Sequence, residues 1–367
     1  MCSAFLTLPA ARAQWLPVRD VSVDSGTTEV AGQFLAIDYQ LDVADLSALS
    51  PAYVFVRCSL DGGAHWALVP AHQLRGDGHD LVTSGGRKTI MWWGSEQLGL
   101  MGEQVELKVS VRAIRMVRVA GGSFVAKFIP GGGFDDSKSR LETETLPTFH
   151  LARCETTIAM YADYLNETGR NGRGWNRLMA NPERCGIQRE ENDRYTVSAG
   201  RENHPINYVS WYEAQAFLHW CGLRLPTERE WQKSFRGGLF LDGDETKRLQ
   251  NPKPERKYPW GDESPEAGGF WRCNCDVADR NRAPQLSPVG SYTRFNSPYG
   301  ASDLSGNVAE WTLDSYATSY HAGLDGYRMV RGGSYMDPAA GCDALAGASQ
   351  LPVKRASIVG FRGMRPN

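Results

Sequence analysis

The residues that could do chemistry are concentrated near the carboxyl end of the chain, between Arg331 and Arg362. This stretch contains one cysteine, Cys342, and an aspartate, Asp337, five residues before it. A thiolate is a good ligand for a soft metal ion, and a carboxylate is a poor substitute for it. Whether the chain is an enzyme or a binding module therefore depends largely on the role of Asp337.

A second candidate site is the loop PYGASDLSGNVAEWT, in which Asp303 and Glu310 bracket a glycine-containing turn. Two carboxylates, together with backbone carbonyls from a tight loop, suit a hard cation such as calcium. The alternative is that these acids are solvated loop residues or caps. The spacing alone leaves both interpretations open.

Other common catalytic patterns are missing from the sequence. It has no Walker loop, no GxGxxG after a strand, no GxSxG and no HExxH, and its seven histidines form no metal pair. The eight cysteines are sparse; Cys273 and Cys275 form only a C-x-C, so a zinc ribbon is not expected. One or two disulfides are expected if the protein is exported, and buried thiols otherwise.

Bulk composition narrows the class of partner. A chain of 367 residues with 41% hydrophobic and 22% charged residues is typical of a soluble globular protein of two or three domains. The formal net charge of −2 gives no indication of a nucleic-acid partner, and no apolar run approaches the ~20 residues of a membrane span. We therefore expect a protein or a small ligand as the partner.

The first residues resemble the end of a secretory signal. An apolar stretch from Ala4 to Leu8 precedes Ala11-Arg12-Ala13, a small-x-small pattern that predicts cleavage before Gln14. A disordered tail is the alternative. Residues 1–14 are accordingly interpreted as a signal-peptide remnant, and we expect an exported protein, periplasmic or at the cell surface.

The elements that must position the candidate residues fall into two parts. Residues 15–114 alternate apolar and polar side chains and are rich in turn signals, which predicts an immunoglobulin-like β-sandwich. Strands are expected around 34–41, 53–58, 66, up to 93, and 105–112. A second domain, 116–367, should hold helices that begin at Thr156 or Thr157, at the capping box Ser210/Glu213 and at the capping box Thr227/Glu230.

The second domain resembles a known family. LPTFHLARCETT, HPINYVSWYEAQAFLHWCGLRLPTEREWQKSFRGG, YPWGD, NSPYGASDLSGNVAEWTLD, RGGSY and GFR occur in this order. Together they are similar to the formylglycine-generating enzyme, or sulfatase-modifying factor, family. The resemblance implies a C-type-lectin-like fold with little regular secondary structure. The fold class expected for the whole chain is α+β, with the sandwich in front.

The resemblance also implies calcium as a structural cofactor. In one site the ligands would be the side chains of Asp303 and Glu310 and the carbonyls of Gly306 and Val308. A second family site would fall at Asn274, Cys275 (carbonyl), Asn281 and Ala283 (carbonyl). Asn281 stands where an acid is usual, which puts the second site in doubt.

Catalysis in the family uses copper(I) held by two cysteines, five residues apart, shortly after RGGS. Here Cys342 matches the second cysteine and Ser334 matches a residue beside the substrate groove, but Asp337 replaces the first cysteine. One thiolate cannot form a two-sulfur copper site. Copper is therefore not expected. The iron-dependent sulfoxide synthases of the family need a histidine set that this chain lacks.

Two hypotheses follow from the resemblance. In the first, the chain is a non-catalytic module that binds a ligand or a protein through its C-terminal loops, a segment that retroelements diversify in some relatives. The expected surface comprises Tyr335, Met336, Asp337, Cys342, Asp343, Leu345, Gln350, Leu351, Val353 and Ser357. In the second, Cys342 and Ser334 are catalytic in a formylglycine-generating oxidoreductase with an atypical metal site, which requires Cys273 or Cys275 to lie close to Cys342.

Overall fold

The structure, a computed structural model, describes residues 15–28, 32–93, 107–128, 140–275, 285–316, 326–345 and 347–366. The signal-peptide expectation for residues 1–14 lies outside these residues. Within them the chain is mostly β, with three α-helices. None of the described helices is long and apolar enough to cross a membrane.

Two sheets build the amino-terminal half. The first has the strands β1 (Val18–Thr28), β2 (Gly32–Leu41), β5 (Leu74–Arg75) and β7 (Gly86–Trp93) in the order β1-β2-β7-β5. The second has β3 (Ala52–Ser59), β4 (Ala67–Leu68), β6 (Asp80–Val82), β8 (Lys108–Val119), β11 (Phe149–Ala152) and β18 (Met364–Pro366). Its order is β18-β11-β8-β3-β4, with β6 also pairing with β3.

The facing sides of these sheets share one core. Ile37 of β2 and Trp92 of β7 pack in the same apolar cluster as Val54 of β3 and Val111 of β8. Because side chains alternate between the two faces of a strand, the period-2 pattern in the sequence places these residues inward. The strands predicted around 34–41 and 53–58, and up to 93, are confirmed. The strand predicted for 105–112 is described from Lys108 onward.

Strand β8 belongs to both halves of the molecule. Its first part, Lys108 to Arg115, pairs with β3, and its second part, Met116 to Val119, pairs with β11. The division predicted at residues 114–116 thus falls within one continuous strand. The two halves are connected by an uninterrupted hydrogen-bonded sheet.

Ion pairs also join the two halves, and the pair between Arg57 and Glu167 is buried. Arg57 donates to Glu167 at 2.6 Å and to the carbonyl of Trp220 at 2.8 Å. Arg112 donates to Glu167 at 2.6 Å and to Asp163 at 2.9 Å. The sandwich therefore packs firmly against the helices of the second half.

The remaining elements belong to the second half. Its helices are α1 (Ile158–Thr168), α2 (Trp211–Trp220) and α3 (Glu228–Arg236). Two short hairpins pair β9 (Gly122–Phe128) with β10 (Arg140–Leu146), and β12 (Ile187–Arg189) with β13 (Tyr195–Val197). A last sheet has β14 (Ala309–Tyr316), β15 (Tyr327–Arg331), β16 (Gly347–Gln350) and β17 (Val359–Gly360) in the order β16-β15-β14-β17.

The helix starts predicted from the sequence are confirmed. The side chain of Thr157 caps α1. Both capping boxes form, since Ser210 and Glu213, like Thr227 and Glu230, exchange side-chain and backbone hydrogen bonds. These caps fix where α2 and α3 begin, and so fix the helices against which the C-terminal loops pack.

Candidate functional site

The loop between Asp303 and β14 is tightly turned. Asp303, Gly306 and Asn307 have positive φ angles of 56°, 73° and 61°. A side chain at Gly306 would meet the carbonyl oxygen of Asn274 at 2.1 Å, so only glycine fits there. The parallel bridge between Asn274 and Gly306 and the hydrogen bond from the Asn307 N–H to the Asn274 carbonyl, 2.8 Å long, hold the loop against the preceding segment.

A buried ion pair lies beneath this loop. The guanidinium of Arg362 donates to both oxygens of Glu310, with Nε–Oε2 at 2.8 Å and Nη2–Oε1 at 2.6 Å. Trp231 Nε1 donates to the same carboxylate at 3.1 Å. The remaining donors of Arg362 reach the carbonyls of Ala152 and Ser302, among others. Both charged groups are fully buried and fully paired.

Two further carboxylates, Glu155 and Asp303, adjoin this pair. Burial, followed by the charge of Asp303, raises the pKa of Glu155 well above its usual range. Burial raises the pKa of Asp303 to about 6, although the Gly290 N–H that donates to it opposes the shift. We call Glu155, Asp303, Glu310 and Arg362 the acidic centre. The acidic centre thus contains three carboxyl groups and one guanidinium.

The acidic centre bears on the calcium expectation in two ways. Its excess of buried negative charge suits a cation, because isolated buried carboxylates are costly. Glu310, however, is already neutralised by Arg362, which makes it a weaker calcium ligand than Asp303. The residues that fit calcium best are therefore Asp303, with the loop carbonyls of Gly306 and Val308.

The residues of the second calcium expectation are only partly described. The side-chain amide of Asn274 donates to the Gln285 carbonyl and to Asn307 Oδ1, both at 3.0 Å. Asn281 and Ala283 lie outside the described residues. Among the residues that the structure does describe, no group of three or more His, Cys, Asp or Glu side chains is arranged to hold a metal ion.

The turn after Gly333 ties Ser334 to Asp337. The Asp337 carboxylate accepts from the Ser334 hydroxyl at 2.6 Å and from the Ser334 N–H at 2.9 Å, and the Asp337 N–H donates to the Ser334 carbonyl at 3.0 Å. Asp337 thus closes this turn. Ser334 is fully buried, and its hydroxyl is occupied by this contact.

Three cysteines meet behind that turn. Cys273, Cys275 and Cys342 form one buried cluster with Trp260 and Trp271 packed against it. None of the three forms a disulfide. Their exposed fractions are 3%, 2% and 0%. We call these three cysteines the thiol cluster.

The thiols contact one another. Hydrogen bonding to Cys275 and to Cys342, together with burial, raises the pKa of the Cys273 thiol well above its usual range. The hydrogen bond with Cys273 lowers the pKa of Cys342, but the contact with Cys275, burial and the nearby charge of Asp337 raise it by more. All three cysteines therefore lie within hydrogen-bonding reach of one another, and Cys273 and Cys342 are protonated at neutral pH.

The condition set by the second hypothesis is thus met in the described structure, because Cys273 and Cys275 both lie against Cys342. A C-x-C in an extended segment places both side chains on one face, with the residue between them on the other. The two-residue spacing could have predicted that Cys273 and Cys275 share a face. Their contact with Cys342, which is distant in sequence, becomes visible only in the folded structure.

The residues expected at the binding surface differ in exposure. Met336, Leu351 and Val353 are exposed, at 47%, 45% and 59%. Tyr335 and Cys342 are buried, so they lie beneath the surface and pack against the domain. The other five residues, Asp337, Asp343, Leu345, Gln350 and Ser357, are half-buried.

A cavity that no pattern in the sequence predicts lies elsewhere in the molecule. It has a volume of about 560 Å³ and is lined by residues 15–17, 42–45 and 153–156, among others. Glu155 of the acidic centre forms part of its wall. The cavity lies where the sandwich meets the second half, away from the exposed C-terminal residues.

Comparisons with known proteins identify the family of this chain. The sulfatase-modifying factor enzyme 1-like domain family matches residues 103–366. A formylglycine-generating enzyme of Streptomyces coelicolor is 30% identical over 295 residues, 67% of this chain and 87% of that protein. The inactive C-alpha-formylglycine-generating enzyme 2 of Bos taurus is 36% identical over 140 residues, 37% of this chain and 40% of that protein.

A solved structure of CarF is also similar, with a TM-score of 0.47 and 24% identity; the match covers 69% of this chain and 98% of CarF. The family match spans most of the chain and contains both the acidic centre and the thiol cluster. This chain belongs to the sulfatase-modifying factor family.

Proposed function

We propose that this chain is an exported, non-catalytic binding module of the sulfatase-modifying factor family. It would bind a protein or a small ligand through its C-terminal loops. One observation carries the proposal: Asp337 stands where a copper-binding cysteine is expected, and its carboxylate is bonded to Ser334. Ser334 and the residue at the position of the missing cysteine are thereby used to close a turn.

Burial of the thiols supports the same proposal. An oxidase that acts on a cysteine of a client protein must bring that cysteine to its own metal. Cys342 is fully buried and its pKa is raised, whereas metal binding requires the thiolate. The exposed apolar side chains Met336, Leu351 and Val353 are better suited to contact a partner.

An oxidation assay tests the non-catalytic part. The full chain, supplied with copper(I) and oxygen, is incubated with a cysteine-containing peptide, and the peptide is followed by mass spectrometry. We expect no conversion above a control without the chain. Conversion that disappears in Cys342→Ser would overturn the proposal.

A second candidate function is the formylglycine-generating oxidoreductase. The contact of Cys273 and Cys275 with Cys342 favours it, because two thiolates could then hold copper without residue 337. In the same assay this candidate requires conversion that depends on Cys273 or Cys275 as well as on Cys342.

Loop variants test the binding part. Arrays of purified glycans and purified exported proteins serve as probes for the chain, for Met336→Asp and for Val353→Asp. Leu249→Asp is the matched control, since Leu249 is an apolar residue of similar exposure, 56%, outside these loops. We expect the two loop variants to lose at least about tenfold in affinity, or about 1.4 kcal/mol, and the control to keep its binding. If all variants bind equally, or if the unsubstituted chain binds no probe, the proposal that the C-terminal loops bind a partner is wrong.

The proposal also includes an immunoglobulin-like domain, export and diversification of the C-terminal segment. The immunoglobulin-like interpretation of residues 15–114, as a spacer or docking domain, is supported by the two sheets that share one core. Export is tested by sequencing the mature amino terminus, which should begin at Gln14. Retroelement diversification of the C-terminal segment requires a nearby reverse transcriptase gene and a template repeat in the genome.

The proposed function also includes calcium as a structural cofactor, held by Asp303 with the carbonyls of Gly306 and Val308. The excess of carboxylates in the acidic centre supports it. Bound calcium would neutralise that charge and brace a loop that contains several residues with positive φ.

A further inference from the structure

The thiol cluster is assembled from two segments that the fold holds in fixed register. Asn274, between the two cysteines of the C-x-C, forms a parallel bridge with Gly306, and the Gly306 N–H donates to the Gly332 carbonyl at 2.9 Å. On the other segment, the Cys342 carbonyl accepts from Ser305 Oγ at 2.6 Å. The same loop, residues 305–307, therefore anchors both sides of the cluster.

The space around Cys342 is closely filled. A side chain at Gly333 would come within 2.9 Å of Cys342 Sγ and 2.1 Å of the Gly341 carbonyl oxygen. Trp260 and Trp271 pack against the cluster. Three thiols held in mutual contact in so tight a space have few chemical options: to remain thiols, to bind a metal ion or to form a disulfide.

A metal ion fits this environment poorly. Binding a soft ion would turn the thiols into thiolates, close to the carboxylate of Asp337 and with negligible exposure to water. Copper(I) with two thiolates would still carry a net negative charge, and burying that charge beside Asp337 without a further cation is costly. A disulfide is neutral and removes the thiols without introducing charge.

We propose that Cys342 forms a disulfide bond with Cys273, and that Cys275 is a third thiol able to exchange into that bond. A bond within the C-x-C would close a ring of only three residues, whereas a bond to Cys342 joins two segments that the fold already holds together. The bond does not depend on the proposed binding function.

The oxidant is a small disulfide such as oxidised glutathione. A thiolate of the cluster attacks one sulfur of the oxidant, forming a mixed disulfide and releasing one glutathione thiol. The partner cysteine then attacks the protein sulfur of the mixed disulfide and releases the second glutathione thiol. Two protein thiols become one disulfide and one oxidised glutathione becomes two reduced ones. Because the folded cluster is buried, the reaction takes place during folding or local opening.

The bond would tie the segment before the DLSGN loop to the turn that carries Met336. It closes a long loop of chain, from Cys273 to Cys342, and so restricts the unfolded state. The oxidised protein should therefore resist urea better than the reduced protein. The turn carrying Met336 would be held in place in the oxidised form.

The test uses the full chain, refolded in a glutathione buffer with excess oxidised form, then denatured and alkylated. Peptide mass mapping should show a cross-link that contains Cys342 and Cys273, with Cys275 alkylated. In Cys275→Ser the cross-link should remain, in Cys342→Ser it should be absent, and in the control Cys185→Ser, a buried thiol outside the cluster, it should be unchanged.

Three results would overturn the proposal: alkylation of all three cysteines after oxidation, a cross-link only between Cys273 and Cys275, or copper(I) bound stoichiometrically at the cluster. The mapping of the unsubstituted chain needs no variant, so it stands even if a substitution prevents folding. A chain that forms the disulfide but binds nothing on the arrays would leave this proposal intact and remove only the binding function.

Discussion

The acidic centre and the thiol cluster lie side by side and have opposite chemistry. The acidic centre is charged, and Arg362 pairs with Glu310 through several hydrogen bonds. In the thiol cluster the cysteines contact one another, and Cys273 and Cys342 are protonated. The bridge between Asn274 and Gly306 joins the two, so that one loop serves both.

The two centres also differ in where their residues occur in the sequence. All four members of the acidic centre belong to the sequence motifs that identify the family. The three cysteines all lie between those motifs. The motifs therefore specify the fold of the domain, whereas the chemistry of this particular chain depends on residues outside them.

The largest effect should come from breaking the acidic centre. Arg362→Met leaves Glu310 buried without its partner, which should cost about 3–5 kcal/mol in the free energy of unfolding. Urea denaturation measures this. Arg355→Met is the control, since Arg355 pairs with Glu213 at the surface, and its loss should cost about 0.2–1 kcal/mol. If both variants lose the same free energy of unfolding, the buried Arg362–Glu310 pair does not stabilise the domain more than a surface pair does.

Calcium should act on the acidic centre and leave the thiol cluster unaffected. If Asp303 holds the ion, calcium at a hundred times its dissociation constant should stabilise the chain by about 2.7 kcal/mol relative to chelator. Asp303→Asn should lose this gain, and Asp262→Asn, a substitution in an exposed loop, should keep it. A melting temperature that is the same in calcium and in chelator would refute the calcium proposal.

A smaller effect is expected at the thiol cluster. Gly333→Ala places a methyl group 2.1 Å from the Gly341 carbonyl oxygen, at a residue with φ of 66°, and should cost about 1–3 kcal/mol. Gly200→Ala is the control for backbone strain alone. Gly200 also has a positive φ, 81°, but nothing lies within 4 Å of the atom that the substitution adds. Gly333→Ala should therefore destabilise more than Gly200→Ala. The reverse order would show that the cluster is loosely packed.

Much of the fold could be read from local patterns. The caps at Thr157, Ser210 and Thr227 act through hydrogen bonds within four residues, so the sequence alone reveals them. The period-2 strands of the sandwich were equally readable, since alternation records which face is covered.

The site was less predictable because its contacts are long-range. Nothing local to Glu310 indicates that Arg362 will take both of its oxygens, and nothing near Cys342 reveals Cys273. Tyr335 looked like a surface residue within a loop, yet its hydroxyl contacts Arg184 and its ring packs beside Val308. Loop residues obey no simple period, so their burial follows from the fold as a whole.

We propose that Asp337 removes the copper site although three cysteines lie close by. A competition titration tests it most directly: the fully reduced chain and Asp337→Cys are titrated, without oxygen, against copper(I) held by a coloured chelator of known affinity. We expect Asp337→Cys to bind copper(I) at least about tenfold more tightly than the unsubstituted chain. If the unsubstituted chain binds one copper(I) just as tightly, and loses it in Cys342→Ser, the thiol cluster is a metal site and the account is wrong.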